Sequence, residues 1–290
     1  MADVAATRRC YKPAMTGTAT SKDAAALQAI AAEAYDATVN RRPIAPFTSR
    51  PGGLSDADAK RVVPLVRALY ERAGFKVVGR KVGFTNRTIW AQYNVHAPHW
   101  SYVFDRTVRD LTGAQQPLAA FIEPRIEPEI VFGLSAVPAP RMDDTALMGT
   151  VDWLALGYEI VQSVFPGWKF AAADPSTTNG MHGALLIGPR HDAAPRAAEW
   201  LRTLSHFDID LSCDGRLIDR GSASNVMDGP LSVLRHLAAL LAADSESSPL
   251  QAGDIVSTGT LTKAMPVAPG ETWTAAPRGV ALDAITLSLV

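Results

Sequence analysis

Beyond Asp105 the chain breaks into short apolar runs separated by turn residues, and this texture restricts the fold more than any other feature. The runs fall at 130–134, 184–187, 207–212, 254–257 and 284–290. Apolar stretches this short, bounded by Gly, Pro, Asn and Asp, read as strands. Two helices are predicted to interrupt them. One spans 143–154, and one spans 230–243 with Pro230 in its first turn and Leu231, Leu234, Leu237 and Leu241 on one face. Residues 21–105 read differently. Ser21 is placed to cap a helix running to about Thr38, with Leu27, Ile30, Ala31 and Ala34 at helical spacing. Ser55 caps a second, with Asp56 and Asp58 in its first turn, Val62, Val66, Leu69 and Ala73 along its stripe, and Gly74 at its end. A strand over 76–84, a short helix over 86–93 and a loop over 94–105 follow. The chain therefore divides into a flexible leader (1–20), an N-terminal helical and mixed region (21–105) and a β-rich body (106–290). The fold class is α+β.

Composition excludes several classes of function. Formal net charge is −1, so the chain lacks the basic footprint of a nucleic-acid binder. Cys10 and Cys213 are the only cysteines, which suits a reducing cytoplasm better than a disulfide framework. No apolar run approaches the roughly 20 residues that span a bilayer. The first residues lack the apolar segment of a secretory signal.

Chemistry concentrates in Phe121 to Gly133, FIEPRIEPEIVFG. On an extended strand Glu127 and Glu129 share a face, and Ile126, Ile130 and Phe132 take the other. Paired carboxylates repel unless neutralised, and hard divalent cations favour carboxylate oxygen. The competing reading is a solvated edge strand, which Pro128 suits because it donates no ladder bond. Glu159, in LGYEIVQS, either faces solvent or has a partner. Lys81, in GRKVGFT, is either solvated or set to hold a carboxylate or move a proton, with its pKa lowered by burial and by a cation. Lys169, beside Trp168 in FPGWKFAAAD, is either part of a site or a surface lysine lying past the ring. His96 and His99 share a loop and suit a polar lid or one acid–base histidine better than zinc. His182 and His191 receive no role. The hydroxyls of STGTLT, 257–262, serve either a turn or a substrate carboxylate.

GRKVGFT, the FIEPRIEPEIVF run, GYEIVQS, WKFAAAD followed by Asn179, and VSTGTLTKAMPVAPG occur in this order. Together they resemble the 2-keto-4-pentenoate hydratase and 4-oxalocrotonate decarboxylase family of the fumarylacetoacetate hydrolase superfamily. The resemblance implies a mixed β-sandwich roll as the C-terminal body, a smaller helical N-terminal region, and a homo-oligomer. It implies Glu127, Glu129 and Glu159 as ligands of Mg²⁺ or Mn²⁺, and Lys81 as the active-site lysine. Lys169 and Asp174 match the W-K and Asp signature, and Thr260 the pocket-lining turn. We therefore take Lys81, His99 and Lys169 as catalytic candidates and Asp174 and Thr260 as substrate-binding ones. Two positions depart from the pattern. His99 stands where relatives carry an acidic residue, and Ala171 where they carry a basic one.

A 2-oxo acid would chelate such a cation through its carboxylate and 2-oxo oxygens. Steps that build negative charge on the 2-oxo oxygen would then be stabilised. The expected activity is hydration of a 2-hydroxy-2,4-dienoate. The alternatives are decarboxylation of a 2-oxo acid, acylpyruvate-type C–C hydrolysis, or a non-catalytic partner subunit with a degenerate site.

Overall fold

The computed structural model describes residues 21–87, 90–93, 95, 97–111, 113, 115–244 and 247–290, with the side chains of 92 and 93 left aside. The leader at 1–20 and His96 lie outside the described residues.

Two helices come first, α1 (Ala24–Val39) and α2 (Asp56–Arg72). Asp23, not Ser21, caps α1: its carboxylate accepts from the Ala26 N–H at 2.8 Å. An anionic cap also complements the helix dipole, an advantage a serine lacks. The Ser21 hydroxyl instead reaches Asp58. Ser55 caps α2 as the sequence indicates, and Gly74 follows its end in the left-handed region at φ +84°. Leu27 and Ala31 of α1 pack with Val62, Val66 and Tyr70 of α2 against Tyr102 and Phe104.

The rest of the chain runs β1 (Val77–Gly83), α3 (Trp90–Tyr93), β2 (His99–Phe104), β3 (Val108–Asp110), β4 (Gln115–Gln116), β5 (Arg125–Leu134), α4 (Asp144–Met148) and β6 (Val151–Val161). It continues through α5 (Asp174–Thr177), β7 (His182–Ile187), β8 (His191–Asp192), α6 (Ala197–Thr203), β9 (Asp208–Cys213), β10 (Arg216–Ser222) and α7 (Pro230–Ala242). It ends with β11 (Ile255–Thr260), β12 (Met265–Pro266), β13 (Thr272–Arg278) and β14 (Ile285–Leu289). One nine-stranded mixed sheet is ordered β2-β1-β11-β5-β6-β7-β3, with β12 on β5 and β8 on β6. A five-stranded sheet is ordered β10-β9-β13-β14-β4. The main core lies between them. Ile130, Phe132, Leu156 and Leu186 of the first sheet meet Ile209, Leu211, Ala275 and Leu287 of the second. The leucine face of α7 closes this core. No helix among the described residues is long and apolar enough to cross a membrane.

Three expectations change. Residues 99–104 form a strand and not a loop. The sequence HWSYVF pairs antiparallel with β1, and Tyr102, Val103 and Phe104 are buried by that pairing. The helix expected over 143–154 stops at Met148, because Gly149 ends it and the β-branched, aromatic run from Val151 enters β6. Pro128 is not on an edge, since β5 lies inside the sheet between β11 and β6. The proline is tolerated because it faces a bulge: β11 shifts register between Ser257 and Thr260, and the Pro128 carbonyl accepts from Leu261 N–H at 2.9 Å. β1 and β2, which lie within 21–105, hydrogen-bond into the same sheet as β5 and β11.

Candidate metal centre

The β5–β6 register makes Glu127 and Glu159 direct cross-strand partners, and Glu129 lies one pleat further along the same face. One carboxylate oxygen from each of the three lies within 4.8 Å of the others. Glu129 and Glu159 are almost wholly buried. All three donors are hard oxygens, the set a divalent cation such as Mg²⁺ or Mn²⁺ prefers. Glu159 Oε2 is buried and has no hydrogen-bond partner, as suits an atom reserved for such an ion.

Two of the three carboxylates are held from behind. Glu129 Oε2 accepts from Ser257 Oγ at 2.5 Å and from the Gly259 N–H at 2.9 Å. This N–H is presented by the β11 bulge. Gly259 sits at φ +93°, and a Cβ there would lie 2.1 Å from Thr85 Oγ1 and 2.9 Å from the Val82 carbonyl. Glu159 Oε1 meets Lys81 Nζ at 2.8 Å and His182 Nδ1 at 2.7 Å. His182 Nε2 in turn lies 2.8 Å from Thr107 Oγ1.

The electrostatics follow from burial. Burial drives the Glu127 carboxyl up to about 7, with Glu159 adding to the rise and Lys81 opposing it. Burial pushes Glu129 well above the usual carboxylate range, reinforced by Glu159 and Glu127. Burial acts on Glu159 too, but Lys81 and His182 prevail and its carboxyl is lowered. Burial acts to lower the Lys81 ammonium, while Glu159, Glu127 and Glu129 carry it upward overall, against the downward shift anticipated from burial. Lys81 also donates to the Gly180 carbonyl at 3.0 Å. Of its three N–H groups, one is left without an acceptor among the described residues.

Lys81, Glu127 and Glu129 line a cavity of about 150 Å³, shared with His99, Ser101, Arg125, Trp168, Met181 and Thr260. His99 Nδ1 is buried without a partner, and its ring meets Phe84 edge-on at 5.5 Å. Burial lowers its pKa, so the ring is neutral at pH 7. Thr260 lines the cavity while its hydroxyl donates to the Thr262 carbonyl at 3.0 Å, so it serves both the turn and the pocket. Phe84, Trp168, Gly180, Met181 and Gly259 all line this cavity at positive φ. Such clustering of uncommon backbone conformations is typical of functional sites.

Two of the expected site residues lie outside this cavity. Asp174 is fully buried but not in the cavity. Its oxygens accept from Thr48 N–H at 3.0 Å, Thr48 Oγ1 at 2.6 Å and Ala171 N–H at 2.9 Å, so it ties the 47–49 turn to the signature loop. Lys169 is exposed and borders a separate groove with Pro43, Pro46 and Phe170. The left-handed pair Gly167 and Trp168 puts the indole against the cavity and leaves the lysine outside it. Conversely, His182, which receives no role from the sequence, stands behind Glu159. As the first residue of β7, followed by buried ALLI, it is a polar group in an apolar strand, and that is the signal the sequence offers.

Comparison with known proteins agrees with this geometry. The family model described as fumarylacetoacetate (FAA) hydrolase C-terminal matches residues 76–281. A 2-hydroxyhexa-2,4-dienoate hydratase of Comamonas testosteroni is 28% identical over 239 residues, covering 82% of this chain and 88% of that protein. A 4-oxalocrotonate decarboxylase of Pseudomonas putida is 30% identical over 226 residues, covering 77% of this chain and 82% of that protein. The solved structure of 4-oxalocrotonate decarboxylase from Pseudomonas putida G7, complexed with magnesium and adipate, superposes with a TM-score of 0.84 at 25% identity. That match covers 93% of this chain and 99% of the other.

Proposed function

This chain belongs to the fumarylacetoacetate hydrolase family, and from its buried carboxylates we propose that it is a metal-dependent hydratase. The substrate class is a 2-hydroxy-2,4-dienoate of the 2-keto-4-pentenoate type, and the product a 4-hydroxy-2-oxo acid. The observation that carries this reading is the convergence of Glu127, Glu129 and Glu159 on one buried point, with Glu159 Oε2 unpaired. Hydratases among the relatives support the choice of reaction.

Glu127, Glu129 and Glu159 would hold Mg²⁺ or Mn²⁺. Bound there, the ion supplies Lewis-acid stabilisation for negative charge developing on the substrate's 2-oxo oxygen. Lys81 is held cationic by the carboxylates and directs its remaining N–H to the substrate carboxylate. His182 fixes Glu159 by hydrogen bonding to the oxygen that Lys81 also engages. His99, neutral and with an unpartnered Nδ1, is the proton acceptor and donor for the carbon chain. Thr260 and Ser101 shape the pocket wall. We place the protein in the cytoplasm as a homo-oligomer acting on a small 2-oxo or 2-hydroxy-dienoic acid, with neither nucleic acid nor membrane as partner.

Decarboxylation of a 2-oxo acid is the second reading, favoured by the likeness to the decarboxylase structure over 93% of this chain. The purified chain, given Mg²⁺ and each substrate, separates the two. Hydration consumes the dienol absorbance without CO₂, whereas decarboxylation releases CO₂. Failure of the chain alone to turn over either substrate with Mg²⁺ or Mn²⁺ would reject both and favour a non-catalytic partner subunit.

A further inference from the structure

Asn179, Gly180 and Met181 follow one another in the left-handed region, at φ 52°, 64° and 63°. Such a run costs about 1–2 kcal/mol per L-residue, least at glycine and asparagine, so it persists only where its surroundings hold it. The Asn179 side chain is the restraint. It is buried, its Oδ1 accepts from the Tyr102 N–H at 3.1 Å, and its Nδ2 donates to the Tyr102 carbonyl at 2.9 Å. Tyr102 lies on β2, the end strand of the nine-stranded sheet. The carboxamide thus takes the place of a neighbouring strand for one residue, meeting both backbone groups with its own donor and acceptor.

The turn held in this way reaches Lys81. Lys81 of β1 is the register partner of Ser101, the residue before Tyr102. Gly180 packs against both side chains: a Cβ on it would lie 2.5 Å from Ser101 Oγ and 3.6 Å from Lys81 Cδ. Its carbonyl accepts from Lys81 Nζ at 3.0 Å. A tetrahedral ammonium offers three N–H directions. Glu159 takes one, at 2.8 Å, and the Gly180 carbonyl takes a second. With two directions taken the third is fixed. With one taken, the ammonium turns freely about it on its flexible stem.

We propose that Asn179 is a positioning residue: through the Gly180 carbonyl it sets the direction of the one Lys81 N–H left for the substrate. The inference rests on the proposed function above, in which that N–H meets the substrate carboxylate. Among the described residues, the Asn179 side chain hydrogen-bonds to Tyr102 alone, and it does not line the cavity. Its influence on a ligand therefore passes through the turn. The same turn leads into His182, which backs Glu159, so a general loosening of the segment would reach a metal ligand as well. Positioning of Lys81 and plain support of the segment thus differ in what they disturb.

The test is calorimetric binding of oxalate at saturating Mg²⁺ to the parent, Asn179→Gly, Lys81→Met and the double variant, with Mg²⁺ titrated separately. Glycine keeps the left-handed conformation open and removes only the carboxamide. Oxalate binding is expected to weaken about tenfold in Asn179→Gly, and at least as much in Lys81→Met. The double variant should bind within about twofold of Lys81→Met, because Asn179 then has nothing left to position. Mg²⁺ affinity in Asn179→Gly should stay within about twofold of the parent. Losses that multiply in the double variant would overturn the proposal, by showing that Asn179 acts independently of Lys81. Unchanged oxalate binding in Asn179→Gly, or an equal loss of Mg²⁺ affinity, would overturn it as well. Asn179→Asp keeps the bond from the Tyr102 N–H and loses the one to the Tyr102 carbonyl. If the glycine variant does not fold, the same cycle run with aspartate decides on the same outcomes. If the parent does not bind oxalate with Mg²⁺, or Lys81→Met binds it as the parent does, the reading of the site itself fails and the role of Asn179 falls with it.

Discussion

Glu127 on β5 is the register partner of Glu159 on β6, so two acids are locked face to face inside a sheet. Like charges directly opposed across strands are destabilising, and Glu129 adds a third on the same face. Among the described residues, Lys81 is the one lysine or arginine in ion-pair contact with them.

Metal binding is therefore expected to stabilise the fold. Mg²⁺ at 100 times its dissociation constant should add about 2.7 kcal/mol, read as a rise in thermal midpoint and reversed by EDTA. Glu127→Gln should melt higher than the parent in EDTA, because repulsion is removed, and should lose the Mg²⁺ increment. A parent midpoint indifferent to Mg²⁺ would remove the basis for the metal site.

His182 acts through Glu159, linking it at 2.7 Å to the Thr107 hydroxyl. Partners behind a metal ligand set its orientation. His182→Ala should thus weaken Mg²⁺ binding about 10–100-fold in a calorimeter. Unaltered affinity in a folded His182→Ala protein would show that Lys81 alone suffices to position Glu159.

His99 gives a pH dependence of known sign. Burial lowers its folded-state pKa below the ordinary 6.5, so the unfolded chain takes up the proton first as pH falls. Its contribution to stability is present above about pH 6.5 and is lost as the pH drops through the folded value. Urea denaturation between pH 5 and 7.5 should show a shallower decline in His99→Gln than in the parent. A steeper decline in the variant would contradict this assignment.

Asp174 should matter for stability more than for ligands. Its carboxylate accepts three hydrogen bonds that join Thr48 to Ala171. Asp174→Ala leaves buried donors unsatisfied and should cost about 3 kcal/mol in denaturant unfolding. Oxalate affinity of the Mg²⁺-loaded folded fraction should stay within about twofold of the parent, a difference below about 0.5 kcal/mol. A large loss of oxalate binding would return Asp174 to the substrate.

Much of the centre was legible because strand periodicity is local. The i, i+2 spacing of Glu127 and Glu129 puts both on one face of any strand. Glu159 was harder, since its convergence depends on which strands pair, and the resemblance to a family supplied that link. The setting of Asp174 is not legible in the sequence, because its partner Thr48 is 126 residues away, a distance no spacing rule crosses. The setting of Lys169 is not legible either, because one left-handed residue, Trp168, decides which of two neighbouring side chains meets the cavity. β2 is hard to read from sequence because its pattern is a buried run without clean alternation.

The interruption in β11 has a consequence for how this sheet can be assembled. A strand that slid by one residue would turn Ile126 and Ile130 into the cavity and bury both glutamates among leucines. Pro128 lacks the N–H that a shifted pairing would demand, and the extra residue opposite it fits one alignment only. The same irregularity that offers the Gly259 amide to Glu129 thus acts as a ratchet tooth, fixing the alignment on which every carboxylate in the seat depends.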